Sequence, residues 1–212
     1  MDASDWDARY AAAAELMWSA APNRWVAEEL AGLPPGRALD LAAGEGRNSI
    51  WLAGLGWSVT AVDFSEVALA KGRRLAASAD VDGADIDGPA ARISWQASDL
   101  LSFEPEPAGF DLVLLCYLQL AAEQRSLVIR RAASALAPGG SLLVIAHDSR
   151  NLAEGVGGPQ DPAVLYGPVE IVADLSFAKV GVLVEKAVSV SRPVPGADRP
   201  AIDALVRAVR PR

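Results

Sequence analysis

The sequence predicts an α/β fold: a seven-stranded, mostly parallel sheet with helices on both faces, closed by a C-terminal antiparallel hairpin. Three observations predict it. Short apolar, β-branched runs alternate with helical patterns from residue 37 onward, as in a parallel sheet. The first run passes through Ala38-Leu39-Asp40-Leu41 into a small-residue loop, Ala42-Ala43-Gly44-Glu45-Gly46, and then into a helical pattern. The last two apolar runs, 180–190 and 201–209, are joined by Pro193-Val194-Pro195-Gly196-Ala197-Asp198-Arg199-Pro200 with no helix between them. A parallel crossover needs a dozen or more residues, usually helical, so these two strands must run antiparallel. Six strands then point one way and one is reversed.

The elements follow in order. Residues 2–31 read as a helical cap, with Trp6 and Tyr10 four apart on one face and a break at Pro22-Asn23. Trp6, Trp18 and Trp25 either clamp this segment down or line a pocket. Gly32 to Gly36 is a turn. The first strand is Arg37–Leu41 and the first core helix runs from Arg47 to Leu55, stopping at Gly56. Ser58–Val62 is the second strand, and Asp63 ends it. Ser65 is a good N-cap for a helix from Glu66 to about Ala77. Asp80–Ala90 carries four aspartates (Asp80, Asp82, Asp85, Asp87), but lacks the glutamate and spacing of a calcium loop; no metal site is expected. Arg92–Gln96 and Phe110–Leu115 are the third and fourth strands. Glu123–Ala137 is a helix closed by Pro138-Gly139-Gly140. Ser141–Ala146 is the fifth strand, delivering His147 and Asp148. Residues 149–167 read as a long loop and candidate lid, and Pro168 starts a short helix to about Leu175.

Composition narrows the function. The chain has 212 residues, of which 51% are hydrophobic and 22% charged, enough for a single domain with its own core. One cysteine, Cys116, lies in an apolar run, which excludes a disulfide framework and a cysteine-based zinc site. The formal net charge of −8, with no basic patch, argues against nucleic acid as a partner. The acidic start, Met1-Asp2-Ala3-Ser4-Asp5, has no apolar core of a signal peptide, and no apolar run is long enough for a bilayer. A cytoplasmic protein with no membrane partner is the expectation, as monomer or homodimer.

The loop after the first strand carries the chemistry. Gly44 and Gly46 take positive φ without cost and let a ligand lie against the backbone. The helix that follows begins with free N–H groups and partial positive charge, suited to a carboxylate or phosphate. Ligands of open α/β sheets bind at such strand ends. A plain strand-to-helix turn would need the same glycines.

The run Ala38–Gly46, the Gly46-Arg47-Asn48-Ser49 sequence, the acid in Val62-Asp63-Phe64-Ser65, Ser98-Asp99, and Leu136-Ala137-Pro138-Gly139-Gly140 together resemble a class I S-adenosylmethionine-dependent methyltransferase. Trp6-Asp7-Ala8-Arg9-Tyr10 is similar to the bacterial tellurite-resistance and thiopurine methyltransferase group. The resemblance implies a Rossmann-like methyltransferase fold, S-adenosylmethionine as cofactor and a small-molecule acceptor. It implies that Gly44 and Gly46 meet the methionine part and that Asp40 orients the loop or meets the ammonium. It implies Asp63, beside Phe64, on the ribose hydroxyls, and Asp99, after Ser98, on the adenine amino group with the Leu100 N–H near the ring. Arg9 and Tyr10 are candidates to close over the cofactor carboxylate, or else belong to a surface ion pair. Ala42 stands where the family has its first loop glycine.

Methyl transfer from a sulfonium is an in-line displacement, so alignment and exclusion of water matter most. Hydroxyl and amine acceptors gain from a base; sulfur and other chalcogen nucleophiles need less help. His147, the one histidine in the chain, is the candidate catalytic residue, or else a histidine bonded to backbone at a strand end. Arg47, Tyr117 and Gln119 are candidate acceptor contacts. Two rival readings stand beside this one. A nicotinamide-dependent oxidoreductase would need Gly-x-Gly-x-x-Gly, and Ser49 occupies the third position. A non-catalytic S-adenosylmethionine-binding regulatory module would share every cofactor residue.

Overall fold

A computed structural model describes residues 3–79 and 88–212. The four aspartates of the expected 80–90 loop lie outside the described residues. The chain divides into two compact units, Met1–Phe103 and Glu104–Arg212. The sheet has seven strands. Among the described residues no helix is long and apolar enough to cross a membrane.

The first unit begins with α1 (Ala3–Ala12) and α2 (Arg24–Leu30). Residues 13–23 are not helical, which corrects the reading of 2–31 as helix up to Pro22. The Lys71 ammonium explains the stop. It takes the main-chain carbonyls of Tyr10, Ala13 and Glu15 at 2.6, 2.8 and 2.7 Å. A cation at a helix C-terminus satisfies carbonyls the next turn would have used. Asn23 then caps α2, its Oδ1 accepting from the Trp25 and Val26 N–H groups.

Strands β1 (Arg37–Leu41), β2 (Ser58–Asp63) and β3 (Ile93–Ala97) lie in the order β3-β2-β1, all parallel. Helix α3 (Arg47–Gly54) follows β1 and α4 (Glu66–Ala79) follows β2. The register sets Leu41 against Val62 and Asp63 against Ala97. Consequently the acid of β1, the acid of β2 and the segment after β3 gather at one edge, where a parallel sheet places its ligands.

The second unit holds β4 (Phe110–Cys116), α5 (Ala122–Ala135), β5 (Leu136–His147), α6 (Asn151–Glu154), α7 (Pro168–Ser176), β6 (Leu183–Arg192) and β7 (Ala201–Val209). Its strands are ordered β4-β5-β7-β6. The expected antiparallel hairpin of β6 and β7 is present, and β7 is the reversed strand, paired antiparallel to β5 as well. Several details differ from the sequence reading. Pro138-Gly139-Gly140 lies inside β5 rather than closing α5, because pairing with β4 resumes on both sides of it, Phe110 with Leu136 and Leu112 with Ser141. The candidate lid contains α6 and a 3₁₀ turn at Pro162–Val164. β6 starts at Leu183 rather than residue 180.

A buried ion pair joins two helices of this unit. Arg125 Nε bonds Asp174 Oδ2 at 2.7 Å, with both side chains nearly out of solvent. The Arg125 guanidinium also lies 4.6 Å over the Tyr166 ring, and the Tyr166 hydroxyl donates to the Leu118 carbonyl. Removing one member of a buried pair strands a charge, whereas replacing both with apolar groups need not cost anything. Arg125→Met is therefore expected to lower unfolding free energy by about 3–5 kcal/mol. Arg125→Met with Asp174→Leu should recover most of that loss, as urea unfolding of both variants will report.

Candidate functional site

Chemistry-bearing side chains gather in two places, one in each unit. In the first unit the centre is Asp63. Its Oδ2 accepts the Gly44 N–H at 2.8 Å and its Oδ1 the Ser65 N–H at 2.9 Å. Its own carbonyl accepts the Ser98 N–H at 2.9 Å. One residue thus ties together the segments that follow β1, β2 and β3. Burial pushes the Asp63 carboxyl above the usual carboxylate range, against those backbone donors. Phe64 beside it is half-buried.

Asp40 stands in β1, fully buried, with Oδ2 accepting the Ser49 hydroxyl at 2.6 Å. Its Oδ1 is buried and has no hydrogen-bond partner among the described residues. Burial lifts this carboxyl to about 7; the Ser49 hydroxyl and the charge of Arg47 oppose that rise. Arg47 is the first residue of α3 and half-buried.

The loop between them turns through left-handed residues at Ala42, Gly44 and Gly46, with φ of 61°, 56° and 76°. Ala42 thus keeps the turn despite its methyl group. The bareness of Gly46 answers a packing need in this structure: a Cβ there would fall 2.3 Å from the Trp95 ring. At Gly44 a Cβ would meet the Tyr10 hydroxyl at 2.8 Å. Tyr10 is buried, and burial together with the Asp63 charge holds its phenol protonated far above the usual range.

The N-terminal segment is fastened over this loop by residues the sequence reading passed over. The Glu45 carboxylate accepts the Met17 and Trp18 N–H groups, and Lys71 Nζ lies 3.6 Å away. The Asp7 carboxylate accepts the Ser65 hydroxyl. A signal existed for Glu45: it is an acid between two loop glycines. Of the three tryptophans, Trp25 is buried, Trp18 is exposed, and Trp6 lies under the Arg9 guanidinium at 4.6 Å. Arg9 itself is exposed and engaged with Trp6. Asp99 is exposed at the end of β3, its Oδ1 accepting the Leu101 N–H at 2.8 Å, and Leu100 is buried.

In the second unit the centre is His147, the last residue of β5. Its ring stacks on Tyr117 with centroids 4.5 Å apart and planes at 26°. Its Nδ1 is buried, without a hydrogen-bond partner among the described residues, and lies 3.8 Å from Asp203 Oδ1. Burial and the Arg192 charge lower the His147 pKa; the Asp203 charge works the other way. Tyr117 follows β4 with a left-handed φ of 63°, an uncommon conformation for a bulky residue. Gln119, two residues on, is half-buried. Asp148 is turned to other work, accepting the Arg150 N–H and the Ser189 hydroxyl. Among the described residues no group of three or more potential ligands is placed to hold a metal ion.

The Asp40 carboxyl gives a test in the protein without ligand. Its pKa is raised in the folded chain, so between the ordinary value and about 7 the folded state binds the extra proton. Stability from this group is then full below about pH 4 and is lost as pH rises through 7. Asp40→Asn cannot titrate, and its melting temperature should fall less between pH 4 and 8 than that of the unaltered chain.

Comparison with known proteins agrees with this architecture. A family model described as a methyltransferase domain matches residues 38–140. No curated protein matches in sequence. Among solved structures, one from work on the conversion of a disulfide bond into a thioacetal group during echinomycin biosynthesis superposes with a TM-score of 0.73. It is 22% identical, with 99% of this chain and 92% of that chain covered. An S-adenosylmethionine-dependent methyltransferase from Methanosarcina mazei gives a TM-score of 0.68 at 16% identity, covering 90% of this chain and 99% of that one. TehB from Haemophilus influenzae gives 0.68 at 18% identity, covering 90% of this chain and 63% of that one. Residues 38–140 thus match a methyltransferase domain, and the sheet that carries them has the fold of solved S-adenosylmethionine-dependent methyltransferases.

Proposed function

We propose that this chain moves a methyl group from S-adenosylmethionine to a small-molecule nucleophile, with Asp40, Asp63 and the glycine loop assigned to the cofactor and His147 to the acceptor. The observation that carries the cofactor placement is the Asp40 Oδ1 atom, buried beside the glycine loop with no partner. A buried acceptor left unsatisfied is costly, and the ammonium of the cofactor's methionine part is a donor that would satisfy it. Asp63 retains a lone pair on each oxygen after its two backbone bonds, enough for two ribose hydroxyls. Asp99 and the Leu100 N–H are assigned to the adenine, and Tyr10 with Gly44 to the carboxylate end. Arg9 is left out of this set because its guanidinium covers Trp6.

S-adenosylmethionine supplies an electrophilic methyl group on a sulfonium. The task of the chain's own residues is to align, to exclude water and, for a protic acceptor, to receive a proton. The acidic net charge of −8 supports a small molecule over nucleic acid as the acceptor. The echinomycin-related likeness, a protein tied to chemistry at sulfur in a natural product, supports it further. Arg47, Tyr117 and Gln119 are assigned to contact the acceptor.

Thermal shift separates cofactor from rival ligands. S-adenosylmethionine and S-adenosylhomocysteine at 100 times Kd should each stabilise the chain by about 2.7 kcal/mol, and NAD by nothing measurable. Asp63→Ala should abolish that shift. It should also cost the unliganded chain about 1–3 kcal/mol, because the Gly44 and Ser65 N–H groups lose their acceptor. A variant that binds cofactor as well as the unaltered chain would refute the placement. A screen of thiols, phenols, amines and tellurite-derived anions with labelled methyl groups identifies the acceptor, and label entering only nucleic acid or protein would overturn the small-molecule reading.

A further inference from the structure

Asp203 is the one acid of β7, with 0% of its surface exposed. A buried carboxylate persists when donors hold it. Two do so here, both on Oδ2: the Tyr117 hydroxyl at 3.0 Å and Arg192 Nε at 3.0 Å. The other oxygen, Oδ1, is the one that faces His147 Nδ1 at 3.8 Å. This is a consequence of sheet register. His147 of β5 and Asp203 of β7 are direct cross-strand partners in the antiparallel ladder, and Val190 of β6 pairs with Asp203 from the far side. Directly opposed residues put their side chains on one face. Tyr117 therefore touches both members: its ring stacks on the imidazole and its hydroxyl holds the carboxylate. Gly158 completes the enclosure. A Cβ at that position would lie 2.9 Å from His147 Nδ1. Asp203 and Gly158 thus occupy the Nδ1 side, leaving Nε2 as the working nitrogen.

We propose that Asp203, gripped by Tyr117 and Arg192, is a positioning residue that keeps the proton of His147 on Nδ1, so that Nε2 accepts the proton of a hydroxyl or amine methyl acceptor. The inference rests on the assignment of His147 to the acceptor and extends it to a substrate class. In the step, the acceptor's lone pair forms the new bond to the methyl carbon and the S–CH3 pair returns to sulfur. The acceptor's proton passes to Nε2, giving an imidazolium that later releases it to water. The charged and titratable groups facing the imidazole are Asp203, Arg192 and Tyr117. Arg192 and Asp203 cancel in net charge, so the ring is neutral and ready to act as a base near pH 7, in keeping with its lowered pKa. When the ring becomes cationic, the 3.8 Å separation has room to close into a charge-assisted bond, as catalytic contacts often do on going from the free enzyme to the reacting complex.

The chain has one histidine, so nitrogen-15 labelling of histidine reports His147 without ambiguity. The expected spectrum of the unaltered chain at pH 8 shows Nδ1 protonated and Nε2 bare. In Asp203→Asn that preference should be lost and the His147 pKa should drop by roughly 1 unit. Should Asp203→Asn fail to fold, Tyr117→Phe and Arg192→Gln each remove one grip on Oδ2 and are expected to weaken the Nδ1 preference. An unchanged tautomer and pKa in the folded variants would overturn the positioning role. With a hydroxyl or amine acceptor from the screen, Asp203→Asn should lower kcat roughly 100-fold with the acid limb of the pH profile displaced and KM for S-adenosylmethionine unchanged. Turnover of thiols or tellurium anions alone, at equal rates in both proteins, would overturn the acceptor class. An intact tautomer with normal transfer in His147→Ala would instead refute the assignment of His147, and a lost cofactor shift would refute the cofactor placement.

Discussion

The Asp63 carboxylate is the interaction on which the first unit depends. Its two oxygens restrain the loop after β1 and the turn after β2, and its carbonyl restrains the entry to the segment after β3. Three chain reversals that have no hydrogen-bonded ladder of their own are thereby referred to one buried residue. The cost of keeping an acid there is visible in its raised pKa. Backbone N–H donors offset that cost, since bonds to an ionised acceptor are stronger than neutral ones. The same geometry that builds the loop leaves acceptor capacity on both carboxylate oxygens.

Around that centre the unit is assembled from the ends inward. Lys71 on α4 stops α1 by taking three carbonyls, and Glu45 in the glycine loop holds the non-helical stretch that follows. Trp95 of β3 fills the space that side chains at Gly46 and Gly72 would occupy. Two loop-facing glycines therefore serve close packing of an indole, whatever else they allow.

In the second unit two buried carboxylates, Asp174 and Asp203, are each met by a guanidinium. Arg125 with Asp174, and Arg192 with Asp203, each satisfy a carboxylate by a guanidinium and enlist a tyrosine. Such sets contribute little net stability compared with apolar packing, and what they contribute is a defined arrangement. Tyr166 holds the Leu118 carbonyl and Tyr117 holds Asp203, so both sets act on the segment that leaves β4.

Much of this architecture was legible in the sequence. The strands β1, β2 and β4, the loop Ala42–Gly46, the acid ending β2, the cap at Ser65 and the antiparallel hairpin are local signals, carried by periodicity, by residues with special backbone freedom and by connection length. The failures had long-range causes. Helix 2–31 was overextended because a lysine 61 residues from Tyr10 ends α1. Pro138-Gly139-Gly140 is a stop signal on its own and a strand irregularity once β4 and β7 pair beside it. The sequence by itself determined the class of fold, the left-handed glycine loop after β1 and His147 at a strand end. Tertiary structure alone decided that β7 lies between β5 and β6, and so that Asp203 stands opposite His147. Side-chain chemistry read along a chain carries no information on which strand will pair with which, because that choice is made by long-range packing of apolar faces.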